Sequence, residues 1–393
     1  MNDVAPRPPR RIPGGAGSLT QLESPSRPAT GAEPPPRGPW LFGRFLAGLI
    51  ALILIVAAGG AAGWYFRQRS VRIDTAAVLK SAGPAVVRVL ATTCAGTGEA
   101  SGVLIDNGRI LTAASAVDQP KSIVVVAPDG RMRRANLLGT SADGVAVLQS
   151  IGFDDPPLHL PAADPGRRAE RALIGYTAAG KQVVNEIGSA ADPKPLSQFM
   201  NAAKLGGPVV GKAGELVGLV TGPTVPTAAV VPVAKLREYV APAPSGITVA
   251  SAGTCPESRG PQGGIVPVLQ VAGTPLALKV RQLLANYLTL ENKHDFDALQ
   301  ALYSPRLAAS LTVARDRQGH STSYFFNPRI TDLAPDGSYA RMAYNVLFAG
   351  TAKGAGGGIC NRLDGRVDLV WVGGKPVIDK IAYATDPVSC DTD

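Results

Sequence analysis

Histidine is the side chain that titrates nearest neutrality, and the 393-residue chain holds only three: His159, His294 and His320. No two lie close in sequence, and the four cysteines, Cys94, Cys255, Cys360 and Cys390, include no Cys-x-x-Cys pair. These spacings argue against a structural zinc site or a haem-attachment motif, so no metal ligand and no cofactor is assigned. Nucleophilic chemistry has few candidates as well. Lys204 would need an adjacent serine to form a Ser–Lys dyad, but the nearest serines, Ser197 and Ser101, belong to other segments. It therefore reads as a solvated lysine. His159 stands between Pro157 and Pro161 on a connector, where it fills space rather than acting as a base.

Charge points to a partner only if it is concentrated. The formal net charge is +9, from 39 Lys and Arg against 30 Asp and Glu. Six of the nine net positive charges precede residue 73, where nine arginines (Arg7, Arg10, Arg11, Arg27, Arg37, Arg44, Arg67, Arg69 and Arg72) stand against Asp3, Glu23 and Glu33. The rest of the chain has no basic face for nucleic acid.

The elements that must position these residues follow from composition. Residues 1–44 contain ten prolines and little aliphatic clustering, which predicts a disordered cytoplasmic tail. From Phe45 to Phe66 the residues are uncharged and mostly aliphatic; at 1.5 Å per residue such a helix is ~33 Å long and predicts a transmembrane span. Trp40, Trp64 and Tyr65 stand at its two ends. All four cysteines follow this span, which places the bulk of the chain outside the cytoplasm as a single-pass membrane protein. Residues 73–240 read as mainly β, with short apolar runs at Val86–Leu90, Ser101–Ile105, Ile123–Val126 and Val145–Leu148. Asp106-Asn107-Gly108 and Pro128-Asp129-Gly130 supply turns. A second set follows at Ala172–Tyr176, Val183–Ile187, Pro208–Val210, Leu216–Thr221 and Ala228–Val233, with a closing helix at Val233–Val240. Residues 241–272, rich in Pro, Gly and Ser, read as a linker. Residues 273–393 give helical spacing at Leu276, Val280, Leu283, Leu284, Tyr287 and Leu288, then a second helix capped by Asp295, then antiparallel strands. That order predicts an α+β unit.

Four segments of the β unit resemble the chymotrypsin-type (trypsin-like) serine proteases, especially bacterial HtrA-like ones, in the family's order. Glu99–Ile105 is similar to the early Gly-Ser-Gly strand. Ile110–Val117 is similar to the Leu-Thr-Asn-Ala-His-Val-Val segment that bears the catalytic histidine. Asp143–Leu148 is similar to the segment that bears the catalytic aspartate. Ala203–Val210, followed by Gly214–Val220, is similar to the Gly-Asn-Ser-Gly-Gly-Pro nucleophile loop and its next strand. The resemblance implies a mainly β fold: a trypsin-like double β-barrel after one transmembrane helix, with about four strands in residues 172–204, followed by a smaller cone-like domain. It also locates the chemistry. The histidine position holds Ser115, the aspartate position Gly144, and the serine position Leu205; Ala203 replaces the glycine of the oxyanion hole. Asp143 is one residue early, and in a strand its side chain would face the other way. The expectation is a pseudoprotease, an inactive homologue with no catalytic residue.

Tyr287–Glu291 and Asp295–Leu299 before Tyr303-Ser304-Pro305 resemble the nuclear-transport-factor-2-like (SnoaL-like) cone fold. In enzymes of that fold carboxylates and histidines inside the cone act as acid and base, so the resemblance makes His294, Asp295, Asp297 and His320 the candidates. His294 and Asp295 fall in a turn between helices, where exposure is expected. Four cysteines allow three pairings. Cys360 and Cys390 share one unit, and closing their 30-residue loop gives ~3–4 kcal/mol by loop-closure reasoning. Cys94 is then left with Cys255.

The expected function is a membrane-anchored, extracytoplasmic trypsin-like pseudoprotease of the cell envelope that binds an extended peptide or envelope protein without cleaving it. Oligomerisation would run through the C-terminal domain. Two rivals remain: a serine endopeptidase with a non-standard constellation, and a C-terminal cone that binds a small apolar ligand or dimerises.

Overall fold

A computed structural model describes residues 49–61, 63–64, 72–164, 166–241, 244–349 and 359–391. The chain divides into two compact units, Met1–Phe66 and Arg67–Asp393. In the first, residues 49–61 form helix α1, with Leu52, Ile53, Leu54, Ile55 and Val56 exposed. The expected span of 45–66 lies partly outside the described residues, as does the whole of the expected tail of 1–44. Among the described residues no helix is long and apolar enough to cross a membrane.

The second unit opens on α2 (Thr75–Ala82), started by Asp74, whose Oδ1 accepts from the N–H groups of Ala76 and Ala77. Six strands follow: β1 (Val86–Thr93), β2 (Glu99–Leu104), β3 (Arg109–Ala113), β4 (Pro120–Val126), β5 (Met132–Ser141) and β6 (Val145–Ser150). They pair in the order β5-β4-β1-β2-β3-β6, and a further β5–β6 pairing closes the sheet into a barrel. The barrel fills with small and branched side chains such as Val87, Val89, Ala91, Ile110, Val125 and Leu148. Both expected turns form: Gly108 and Gly130 take positive φ between β2 and β3 and between β4 and β5.

The second half differs from the expected barrel. β7 (Glu170–Tyr176), β8 (Gln182–Ser189), β9 (Pro208–Val210), β10 (Leu216–Thr221) and β11 (Ala229–Pro232) make an open five-stranded sheet in the order β11-β10-β9-β7-β8, closed off by α3 (Val233–Val240). Residues 172–204 hold two strands, not four. Between β8 and β9 the chain makes only short 3-10 turns at Leu196–Gln198 and Ala202–Lys204. Pro193 and Pro195 lack the N–H that a ladder needs there.

Residues 241–272 are tied down at both ends. β12 (Ile247–Thr248) pairs with β5, Cys255 bonds Cys94, Arg259 bridges to Thr93, and β13 (Val268–Leu269) runs parallel to a later strand. The C-terminal part has four helices where two were expected: α4 (Pro275–Lys293), α5 (Phe296–Leu299), α6 (Pro305–Ser310) and α7 (Val313–His320). β14 (Tyr324–Leu333), β15 (Tyr339–Leu347), β16 (Cys360–Val372) and β17 (Lys375–Tyr383) form the antiparallel sheet, with β13 on β14 and β18 (Val388–Ser389) on β16. Gly373 and Gly374 both take positive φ in the expected hairpin. Val280, Leu284, Tyr287 and Leu288 of α4 pack on Phe325, Ile330, Met342 and Val367 of the sheet.

Candidate functional site

β3 and β6 pair so that Ala113 lies opposite Val145, and this brings the ends of both strands together. The chain leaves β3 through a 3-10 turn at Ala114–Ala116, and Ala114 N–H donates to the carbonyl of Gly144 at 2.8 Å. Ser115 Oγ donates to the carbonyl of Gly222 at 2.8 Å. Thr221 Oγ1 donates to the Asp143 carbonyl at 2.8 Å. The positions of the expected base and its orienting carboxylate are therefore neighbours, but they carry a hydroxyl and a glycine. Gly144 has φ +75° and sits in the turn before β6. Asp143 is in the same turn rather than in a strand, so the alternation argument does not apply to it. Its carboxylate instead accepts from the hydroxyl of Tyr239 on α3. Burial raises the Tyr239 phenol pKa, and this bond raises it further.

Leu205 ends the Ala202–Lys204 turn and is 1% exposed. It packs with Ala113, Leu173, Ile187, Val209, Val217 and Val220 in one apolar cluster. Its N–H donates to the Ala202 carbonyl at 3.1 Å, and its carbonyl accepts from Ser101 N–H at 2.8 Å. Ser101 Oγ donates to the Ala203 carbonyl at 2.6 Å and accepts from Tyr176 N–H at 2.9 Å. The turn at Ala202–Lys204 is thus held by its own Leu205–Ala202 bond and by Ser101 of β2. No oxygen or sulfur of residue 205 is available, and its amide is engaged.

Lys204 corrects the sequence expectation. It is buried, and Nζ donates to Asn185 Oδ1 at 2.8 Å and to the Phe199 carbonyl. Burial lowers its pKa. A lysine held by β8 and the preceding turn is a structural peg. His159 is exposed on the connector, with Nδ1 3.6 Å from Asp106 Oδ1. Across the paired strands β1 and β2 of the barrel, Arg88 Nε donates to Glu99 Oε1 at 3.0 Å in a buried ion pair. Desolvation raises the Glu99 pKa despite Arg88 beside it. Cys94–Cys255 and Cys360–Cys390 are both bonded, the expected pairing.

In the C-terminal part the four expected candidates separate. Asp295 caps α5 by accepting from Ala298 N–H, and Asp297 is exposed. His294, expected in an exposed turn, is buried; it closes α4 in the left-handed region, stacks on Phe296 and meets the Ser323 carbonyl through Nε2. Only His320 reaches other chemistry. It lies with Glu291 of α4 and Asp316 of α7, one ligand atom from each falling within 4.8 Å of the others. Burial pushes the Glu291 carboxyl up to about 8. Burial, then the Glu291 charge, pushes Asp316 up to about 6. Desolvation lowers His320. Sequence reading missed Glu291 and Asp316; Glu291 stands out as an acid on the largely apolar face of α4, whereas Asp316 lies in the polar stretch of α7, which carries no such signal.

Residues 100–219 match the family of the trypsin-like peptidase domain, from β2 into β10. This part of the chain has a trypsin-like peptidase fold. Among solved structures, a serine endoprotease from Yersinia pestis is 24% identical, with 47% of this chain and 76% of that chain covered and a TM-score of 0.38. The Rv3671c protease from M. tuberculosis in its active form is 19% identical, with coverages of 44% and 86% and a TM-score of 0.37. Its inactive form is 21% identical, with coverages of 40% and 88% and a TM-score of 0.34. No curated protein matches the chain.

Proposed function

We propose that the protein is a trypsin-like pseudoprotease, held at a membrane by residues 45–66, that binds peptide or protein partners on the extracytoplasmic side without cleaving them. One observation carries this reading: at the nucleophile position stands Leu205, buried in an apolar cluster with its own amide bonded to Ala202. Acyl transfer needs a nucleophilic atom, a base to take its proton, and donors for the developing oxyanion. Ser115 and Gly144 supply neither imidazole nor carboxylate where the base and its orienting group would act.

Binding needs less than catalysis. β8 and β11 are the outer strands of the five-stranded sheet, and an extended chain can add to such an edge through main-chain hydrogen bonds. The aliphatic run from Phe45 to Phe66 and the exposed Leu, Ile and Val side chains of α1 support the anchor. Two disulfides suit an oxidising compartment. The helices-then-sheet order of 273–393 supports a cone of the nuclear-transport-factor-2-like kind, which adds a second binding surface or a dimer contact.

The test combines two measurements on the full chain. A fluorophosphonate probe, which labels activated serines, should leave the protein unlabelled, and a peptide library should emerge uncut. Crosslinking in intact envelopes should recover an uncleaved protein partner. Labelling that maps to a serine of residues 73–240 would overturn the reading in favour of a peptidase with displaced residues.

A further inference from the structure

The group formed by Glu291, Asp316 and His320 is the one place among the described residues where three such side chains bring ligand atoms within 4.8 Å of one another. It stands apart from the trypsin-like unit, at the junction of α4 and α7. We propose that these three side chains bind a single divalent transition-metal ion of the zinc type, clamping α4 to α7.

The strongest observation is Glu291. It is 1% exposed, and neither carboxylate oxygen has a hydrogen bond of normal geometry, although Tyr287, one turn earlier on α4, approaches it. Asp316 is equally buried. Its Oδ2 accepts from Tyr303 at 3.1 Å, while Oδ1 has no partner. A carboxylate taken out of water without a partner is among the costliest groups to bury, and among the described residues no lysine or arginine forms an ion pair with either one. A divalent cation satisfies both acids at once.

The donor set also identifies the class of ion. Zinc takes carboxylate oxygen and imidazole nitrogen at ~2.0–2.2 Å, so small side-chain rotations would close the observed spacing around it. An imidazole donor favours zinc over calcium and magnesium, which prefer oxygen alone. The bond from Tyr303 fixes Asp316 from behind and leaves Oδ1 free to coordinate, the role of an outer-shell donor. His320 is only partly buried and closes the site toward solvent, where water can take the remaining position. His294 stands outside the set because no ring nitrogen of it joins the three ligand atoms that lie within 4.8 Å of one another; its Nε2 meets the Ser323 carbonyl and its ring lies on Phe296.

The experiment is calorimetric titration of Zn2+, and separately Ca2+, into chelator-dialysed full-length protein. One zinc per chain is expected, with Ca2+ at least a hundredfold weaker. Glu291→Gln, Asp316→Asn and His320→Ala should each weaken zinc binding tenfold or more while keeping the wild-type circular dichroism. His159→Ala, which removes the exposed histidine beside Asp106, should change nothing. His320 is partly exposed, so His320→Ala keeps the test decisive if a carboxylate variant fails to fold. Absence of zinc uptake, or uptake abolished by His159→Ala and untouched by His320→Ala, overturns the proposal.

Discussion

Leu205 is the residue on which the proposed pseudoprotease reading turns. Returning a hydroxyl there, as Leu205→Ser, should not create a fluorophosphonate-reactive protein, because Ser115 cannot take its proton. The same change removes a leucine from a packed cluster and inserts a polar atom, so it should cost about 3–5 kcal/mol in denaturant unfolding. Labelling of Leu205→Ser, or unchanged stability, would contradict this account. Restoring the acid is no simpler, since Gly144 holds φ +75° and an aspartate there would bear strain of about 1 kcal/mol. Glu291 allows a second residue-scale prediction, made with chelator present. Its folded pKa is raised from 4.5 to about 8. Folding therefore favours the protonated form; this contribution is complete below the unfolded pKa and is lost as pH rises through about 8. Glu291→Gln removes the dependence. Relative to wild type it should gain stability, on the order of a few kcal/mol, between pH 5 and pH 8. Equal pH slopes in urea unfolding would refute this. The strands that flank residues 115, 144 and 205 were legible because their apolar runs border glycine-bearing turns. The burial of Lys204 was not, because its acceptors, Asn185 Oδ1 and the Phe199 carbonyl, come from a strand and a turn that only folding brings together.

At the scale of elements, short strands bounded by glycine turns read clearly, and β7 to β11 fall where their apolar runs predicted. The expectation failed where a family pattern was imposed on too little chain. Residues 172–204 were expected to hold about four strands and hold two, because Asp192-Pro193-Lys194-Pro195 cannot sustain a ladder, and the sheet stays open. α7 was missed for a different reason. Val313–His320 is almost wholly polar and shows no apolar period to read, yet it carries Asp316 and His320. Glycine and cysteine spacing gave better guidance: Cys94–Cys255 closes a 161-residue separation and pins residues 241–272 beside β1. Loop-closure reasoning assigns such a crosslink about 5 kcal/mol. The double variant Cys94→Ser with Cys255→Ser should lower the thermal midpoint far more than an exposed substitution such as Lys181→Ser. The wild-type protein should show the same drop under reductant. Insensitivity to reductant would mean that β12 and the Thr93–Arg259 bridge hold this segment unaided.

Across the whole second unit, the barrel and the C-terminal sheet share an interior. Leu90, Val124, Val126 and Met132 of β1, β4 and β5 pack with Tyr324, Phe326 and Leu347 and with the Cys360–Cys390 disulfide. Arg134 pairs with Asp391 at the same junction, at 2.9 Å. A cluster built equally from both sides cannot be lost from one side alone without exposing the other, so residues 67–393 should unfold in one cooperative transition. Phe326 is the place to test this, being 1% exposed and stacked on Tyr324. Phe326→Ala should destabilise by about 3–5 kcal/mol, and calorimetry should still record a single transition, shifted down as a whole. Two separated transitions, with only the later one moved, would show that the trypsin-like part stands independently. A single transition means that a ligand bound by the C-terminal helices would also stabilise the trypsin-like part, through the apolar face the two share.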